Sequence, residues 1–213
     1  MSRVRERPVA DATARRGYHH GNLREALVQA TKQLLADKGP QGFTLADAAR
    51  RAGVSPAAPY RHFADREALL AEVARRGFEA FTARLSRGAD PAHALRGMGA
   101  AYLAFAREEP GYYVAMFSTN APQGATETPE ARRAFTMLVD GLAASLATRG
   151  LEVDDPRALA LQVWGLSHGV ATLAASGRLG GLCEDPEAVL ERGVDALVAG
   201  AVKEAHPDGG AGR

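Results

Sequence analysis

Thr44-Leu45-Ala46-Asp47-Ala48-Ala49-Arg50-Arg51-Ala52-Gly53-Val54-Ser55-Pro56-Ala57-Ala58-Pro59-Tyr60-Arg61-His62-Phe63 reads as two short helices joined at a tight glycine turn. Thr44 is a good N-cap, with Asp47 three residues on as a short capping-box partner. Leu45, Ala48, Ala49 and Ala52 fall at helical spacing and form one buried stripe, with Arg50 and Arg51 off it, toward solvent or a phosphate. Gly53 supplies the positive φ that a helix end needs. Val54 re-enters the core, Ser55 caps the next helix, and Pro56 takes the first helical position, where a missing N–H costs nothing. The pattern is a helix-turn-helix, whose second helix has a tip small enough for the DNA major groove.

Pro59 sits at the fourth position of that second helix, where its N–H would have made the first intrahelical bond. A short, locally loose helix ending near His62 is therefore expected. Its exposed face offers Pro56, Ala57, Ala58 and Arg61. Small side chains bring a helix backbone close to thymine methyls, and an arginine can fork onto guanine. By itself the pattern also fits an ordinary helix pair in a bundle, so the flanking sequence has to decide.

Asn22 caps a first helix that puts Leu23, Leu27, Ala30 and Leu34 on one face and ends at Gly39-Pro40. Asp65 caps a longer helix, to about Ser86, with Leu70, Val73, Phe78, Phe81 and Leu85 facing inward. The run from Tyr18 to Leu70 resembles the N-terminal DNA-binding domain of the tetracycline-repressor (TetR) family of bacterial transcription regulators. The likeness is carried by the helix at Leu23–Lys38, Gly42-Phe43-Thr44, Ala49-Arg50-Arg51-Ala52-Gly53-Val54-Ser55, Tyr60-Arg61-His62-Phe63 and Asp65-Arg66-Glu67-Ala68-Leu69-Leu70. It implies that Thr44, Tyr60, His62 and Arg66 contact phosphates while Pro56, Ala57, Ala58 and Arg61 face bases. The family usually has lysine at Arg66 and often leucine at Pro59. Read from the residues alone, Tyr60 and Phe63 could both be core, and His62 could serve a helix C-terminus.

The charge distribution is uneven. Residues 1–66 carry 12 Lys+Arg and 6 Asp+Glu, a net of +6, whereas the remainder carries 14 and 19, a net of −5. A basic head on an acidic body suits a protein that touches DNA at one end, though so modest a difference also fits a solvated surface. The first 20 residues lack the apolar run of a secretory signal or membrane span. Arg15, Arg16, Tyr18 and His19 in that segment could form a basic arm on the DNA, or a plain tail. The single Cys183 cannot make an internal disulfide and suits a reducing cytoplasm.

Strand signals are nearly absent, so the expected fold is all-α: a three-helix DNA-binding head and a helical-bundle body for ligand binding and dimerisation. The expected division is an arm at 1–17, the helix-turn-helix domain at 18–66, a linking helix at 67–86, the body at 87–205 and a tail at 206–213. Body helices are expected at Pro91–Arg107, Gly111–Ser118, Pro129–Arg149, Pro156–Ser176 and Pro186–Ala205, with a polar loop at 119–128. The helix from Pro156 is apolar nearly all round, which predicts burial on most sides. With the last helix it could pair with a second copy as a four-helix interface, or serve as the centre of a monomer. A dimer is the preferred reading, because two short recognition helices read a palindrome where one reads only a few base pairs.

Gly165-Leu166-Ser167-His168-Gly169 matches the hydrolase nucleophile elbow, but helical, alanine-rich sequence leads into it where that motif needs a strand. No enzyme activity, cofactor or metal site is expected. Trp164-x-x-x-His168-Gly169, with Gly177-Arg178-Leu179, resembles the C-terminal domain of a TetR subfamily named for its Trp-His-Gly signature. An effector pocket inside the body follows from that resemblance. Its candidate lining is Tyr102, Phe105, Tyr112, Tyr113, Met116, Phe117, Trp164 and His168, aromatics with a few polar tips that suit an apolar small molecule. Each of these also fits plain core, and His168 could simply tie helices together.

Overall fold

The computed structural model describes residues 23–87, 94–118, 128–181 and 185–202. These form α1 (Leu23–Lys38), α2 (Leu45–Arg51), a 3₁₀ turn (Pro59–Arg61), α3 (Arg66–Arg87), α4 (Ala94–Glu108), α5 (Pro110–Phe117), α6 (Pro129–Thr148), α7 (Pro156–Ala175) and α8 (Pro186–Ala201). Among the described residues the nearest approach to a strand is one isolated bridge, Val153 to Val202. The fold is all-α, as expected. The expectations for Arg15, Arg16, Tyr18, His19, the Asn22 cap, the helix start at Pro91, residues 119–127, Cys183 and the tail lie outside the described residues.

The helix ends follow from local chemistry. The Thr44 hydroxyl accepts from the Asp47 N–H at 3.1 Å while Asp47 accepts from the Thr44 N–H at 3.0 Å, so two orphan donors at the start of α2 are satisfied reciprocally. Gly53 closes α2 at φ +73°, a backbone state that other residues adopt only with strain. Asp65 accepts from the Ala68 N–H at 2.7 Å and opens α3. Thr128, Asp155 and Asp185 cap α6, α7 and α8, each followed by proline at the first helical position.

The head is α1, α2, the 3₁₀ turn and the start of α3. Leu27, Val28 and Leu35 of α1 and Leu69, Leu70 and Val73 of α3 are almost completely buried. Each contributes about 1.5–3 kcal/mol on removal from water. Beside this core, Glu72 is 8% exposed and receives Arg24 from α1 at 2.6 Å, with Arg75 and Arg76 of its own helix both at 2.9 Å. These guanidiniums, Arg75 foremost, hold its carboxyl at about 2, so the cluster stays ionised and pins α1 to α3.

In the body, α3 packs on α5, α6 and α4, while α7 lies against α8, α4 and α6. Helix α5 also rests on α1: a β-carbon on Gly111 would collide with the Lys32 carbonyl, so the two backbones are in direct contact. Lys32 pairs with Glu109 and lies 4.3 Å over the Tyr112 ring.

One expectation for α7 is corrected. The inner face (Leu159, Val163, Val170) is buried, but Leu161 and Leu173 are 54% and 41% exposed. Neighbouring helices cover only one side, and the apolar circumference outruns the partners available within one chain. By length and composition α7 could cross a membrane, yet its inner face is bundle core.

Candidate nucleic-acid interface and interior cavity

The expected second helix of the helix-turn-helix is reduced to a turn. Ala58 N–H bonds to Ser55 O at 2.9 Å, and His62 and Phe63 both donate to Pro59 O, at 2.9 and 3.0 Å. Pro59 has no N–H to give Ser55 O, so an α-helical ladder cannot start at Ser55 and the chain tightens to 3₁₀ spacing. The helix therefore opens at Pro59, without the Ser55 side-chain cap or the Pro56 first position expected from sequence. The Pro59 ring itself is fully buried and fills a core position.

The turn still presents the expected surface. Pro56, Ala57, Arg61 and His62 are exposed, Ala58 is half-buried, and Tyr60 is 63% exposed, which removes it from the core. Phe63 is core, covered by the Arg24 guanidinium 5.3 Å from its ring centroid. Thr44 is exposed at the N-terminus of α2. Among the described residues Arg61 makes no ion pair, whereas Arg50 is held by Asp47 at 3.1 Å and Arg51 by Asp37 at 2.7 Å.

Arg66 is differently employed from the phosphate contact expected of it. Its guanidinium donates to the Pro40 carbonyl and, at 3.1 Å, to the Phe43 carbonyl, stacks 4.5 Å from the Phe43 ring centroid, and pairs with Glu67 at 3.1 Å. The loop between α1 and α2 ends in carbonyls that need donors, and Arg66 supplies them from the start of α3.

In the body, α3, α4, α5, α6, α7 and α8 enclose a cavity of about 480 Å³. Its walls include Phe78 and Phe81 of α3, Met98 and Tyr102 of α4, Phe117 of α5, Phe135 of α6 and Trp164 of α7. Of the eight candidate lining residues, Tyr102, Phe117 and Trp164 line it. The other five do not. Phe105 is packed edge-on against Phe81, Met116 against Gly77, and Tyr112 under Lys32. Tyr113 and His168 are spent on each other: Tyr113 Oη lies 2.9 Å from His168 Nδ1 and 3.2 Å from Thr172 Oγ1, with the rings stacked at 5.6 Å. Tyr102 Oη reaches the same Nδ1 at 3.3 Å, so His168 ties α4, α5 and α7 together.

Burial pushes the Tyr102 and Tyr113 hydroxyls up and the His168 imidazole down, so all three groups are neutral near pH 7. Ser167 lies in the middle of α7 and donates to Val163 O at 2.8 Å, as a helix hydroxyl does. Sequence reasoning missed Phe78 and Phe81 as walls. They continue the inward stripe of α3 beyond the head, so that stripe had to face the body. It also missed Arg132, Phe135 and Arg157, because nothing local shows that the first two turns of α6 and the first turn of α7 flank one opening.

Residues 27–73 match the family model described as bacterial regulatory proteins, tetR family. Residues 95–197 match the model described as tetracyclin repressor-like, C-terminal domain. The chain belongs to the TetR family of bacterial transcription regulators. It is a DNA-binding regulator, and its two matched regions include the exposed turn and the α4 to α8 part of the cavity wall. No curated protein matches this TetR-family chain. Among solved structures, it is similar to a Rhodococcus sp. RHA1 protein of unknown function, with 30% identity and a TM-score of 0.72 over 88% of this chain and 100% of that one. The TetR-family regulator PfmR from Thermus thermophilus shares 21% identity with a TM-score of 0.63, over 81% and 97%. The regulator FadR from Bacillus subtilis, in complex with stearoyl-CoA, shares 15% identity with a TM-score of 0.66, over 83% and 98%. The last two likenesses concern the fold alone.

Proposed function

We propose that this regulator is a cytoplasmic homodimeric repressor of a pseudo-palindromic operator, released when a small apolar or aromatic effector enters the body cavity. Residues 56–62 would enter the major groove, with Pro56, Ala57, Ala58 and Arg61 toward bases and Thr44, Tyr60 and His62 toward phosphates. The described arginines nearby are already paired, which leaves Arg61 as the cation available to fork onto a base. Dimerisation is supported by the open face of α7, where Leu161, Gly165, Gly169 and Leu173 recur every four residues and are all exposed. Small residues between leucines let a second helix approach closely.

The observation that carries effector control is the placement of α5. Phe117 at its C-terminal end lines the cavity, while Gly111 at its other end abuts the α1 backbone of the head. A guest that displaces Phe117 would thus push directly on the head, and α3, which spans both parts, would rotate with it. A coupling of roughly 1–3 kcal/mol is enough to change operator occupancy. In the rival reading the body only dimerises; an apolar cavity of about 480 Å³ in the size range of ligand sites favours the first.

The test is to select genomic fragments retained by the protein, then to measure their release by apolar compounds that alter Trp164 emission. Palindromic fragments released by compounds that occupy the cavity support the proposal. Occupancy with unchanged operator affinity rejects effector control, and fragments without sequence preference reject operator reading.

A further inference from the structure

The cavity is lined by aromatic and aliphatic groups, yet two of its lining residues are charged and both are cations: Arg132 of α6 and Arg157 of α7. Among the described residues neither is paired with a carboxylate. Arg157 instead lies 5.1 Å over the ring of Phe135, itself a wall residue in edge contact with Trp164. Both stand in the first turn of their helices, where a cation gains nothing from the helix dipole. The neighbouring groove of about 640 Å³ between α4, α6 and α8 is the opposite case. There Arg96 is paired with Glu191, and Arg149 shares the lining with Glu187 and Asp195.

Resting on the effector reading above, the geometry points to an amphipathic anion as the ligand: an apolar body in the aromatic cavity and a terminal oxyanion held by Arg132 and Arg157. A planar guanidinium offers two parallel N–H donors to a carboxylate or a phosphate monoester. With no acidic residue in the lining, nothing there repels such a group. The buried Tyr102 hydroxyl in the wall is neutral and faces His168 Nδ1 at 3.3 Å, so the positive charge of the lining is at the two arginines, where the oxyanion belongs.

The chain has one tryptophan, and it lines the cavity, so its emission reports occupancy by any guest. The full-length protein is titrated with decanoate, decyl phosphate and 1-decanol, which share one tail and differ in head group. An anion should bind at least about tenfold more tightly than the alcohol. Arg132→Gln and Arg157→Gln should each reduce that preference, lowering affinity for the anions more than for 1-decanol in protein that still unfolds cooperatively. Tighter binding of decanoate assigns a carboxylate, and of decyl phosphate a phosphate ester. Equal binding of all three overturns the anion inference while leaving an apolar effector in place. No response to any of the three overturns it too; effector control itself then stands or falls on operator release by other compounds.

Discussion

Arg66 shows how a residue legible as a cation can have a purpose that sequence does not disclose. Its position in the motif suggested a phosphate contact, but the guanidinium fastens the carbonyls of Pro40 and Phe43. Arg66→Ala should cost about 1–3 kcal/mol of stability, measured by urea unfolding, because those carbonyls lose their donors. Thr44 and Asp47 were legible in full, since a capping box is a local contact between near neighbours. The Glu72 cluster was not, because Arg24 meets it across 48 residues.

Titration follows from the half-buried His168 and the buried Glu72. His168 is held neutral below its ordinary value of 6.5, so the unfolded chain takes up the proton first and stability falls as pH drops below that value. Glu72, at about 2 against an ordinary 4.5, adds a second loss once pH passes below 4.5, worth at most about 3 kcal/mol. The melting temperature should therefore decline in two stages on acidification, and His168→Asn should remove the first.

At the scale of elements, most helices could be read from their caps and stripes, and α1 matches its expected bounds. The recognition helix was the exception. The missing N–H at Pro59 predicted a short, loose helix, but the tightening went further than expected, removing the Ser55 cap and the Pro56 first position and leaving a 3₁₀ turn. The role of α5 was also hidden, because its eight residues carry no periodic signal that separates the face on α1 from the face on the cavity. Two glycines give a paired prediction. Gly111→Ala forces a β-carbon against the α1 backbone and should cost about 2 kcal/mol or more. Gly77→Ala meets the side chain of the buried Met116, and Tyr112 Cβ at 3.3 Å, rather than backbone, and should cost less than Gly111→Ala. Thermal unfolding of the two variants checks the contrast.

For the whole molecule, the all-α plan was legible from pattern, whereas the cavity was legible only in part. Tyr102, Phe117 and Trp164 face it, but which side of a buried helix meets space and which meets packing is set by neighbours far away in the chain. The open face of α7 carries the prediction at this scale. Leu173→Glu should leave a folded protein of half the assembly mass by light scattering, with weakened operator binding, because two half-sites are then no longer read together.

The central claim is that the exposed turn at residues 56–62 reads DNA bases. It is tested most directly by titrating the selected operator and its single-base variants with wild type and Arg61→Ala over a salt series. The account predicts steep salt dependence for both proteins, with Arg61→Ala losing discrimination at one base per half-site, about 1–3 kcal/mol. Unchanged discrimination at every position, or no sequence preference by the wild type at any salt, would contradict it.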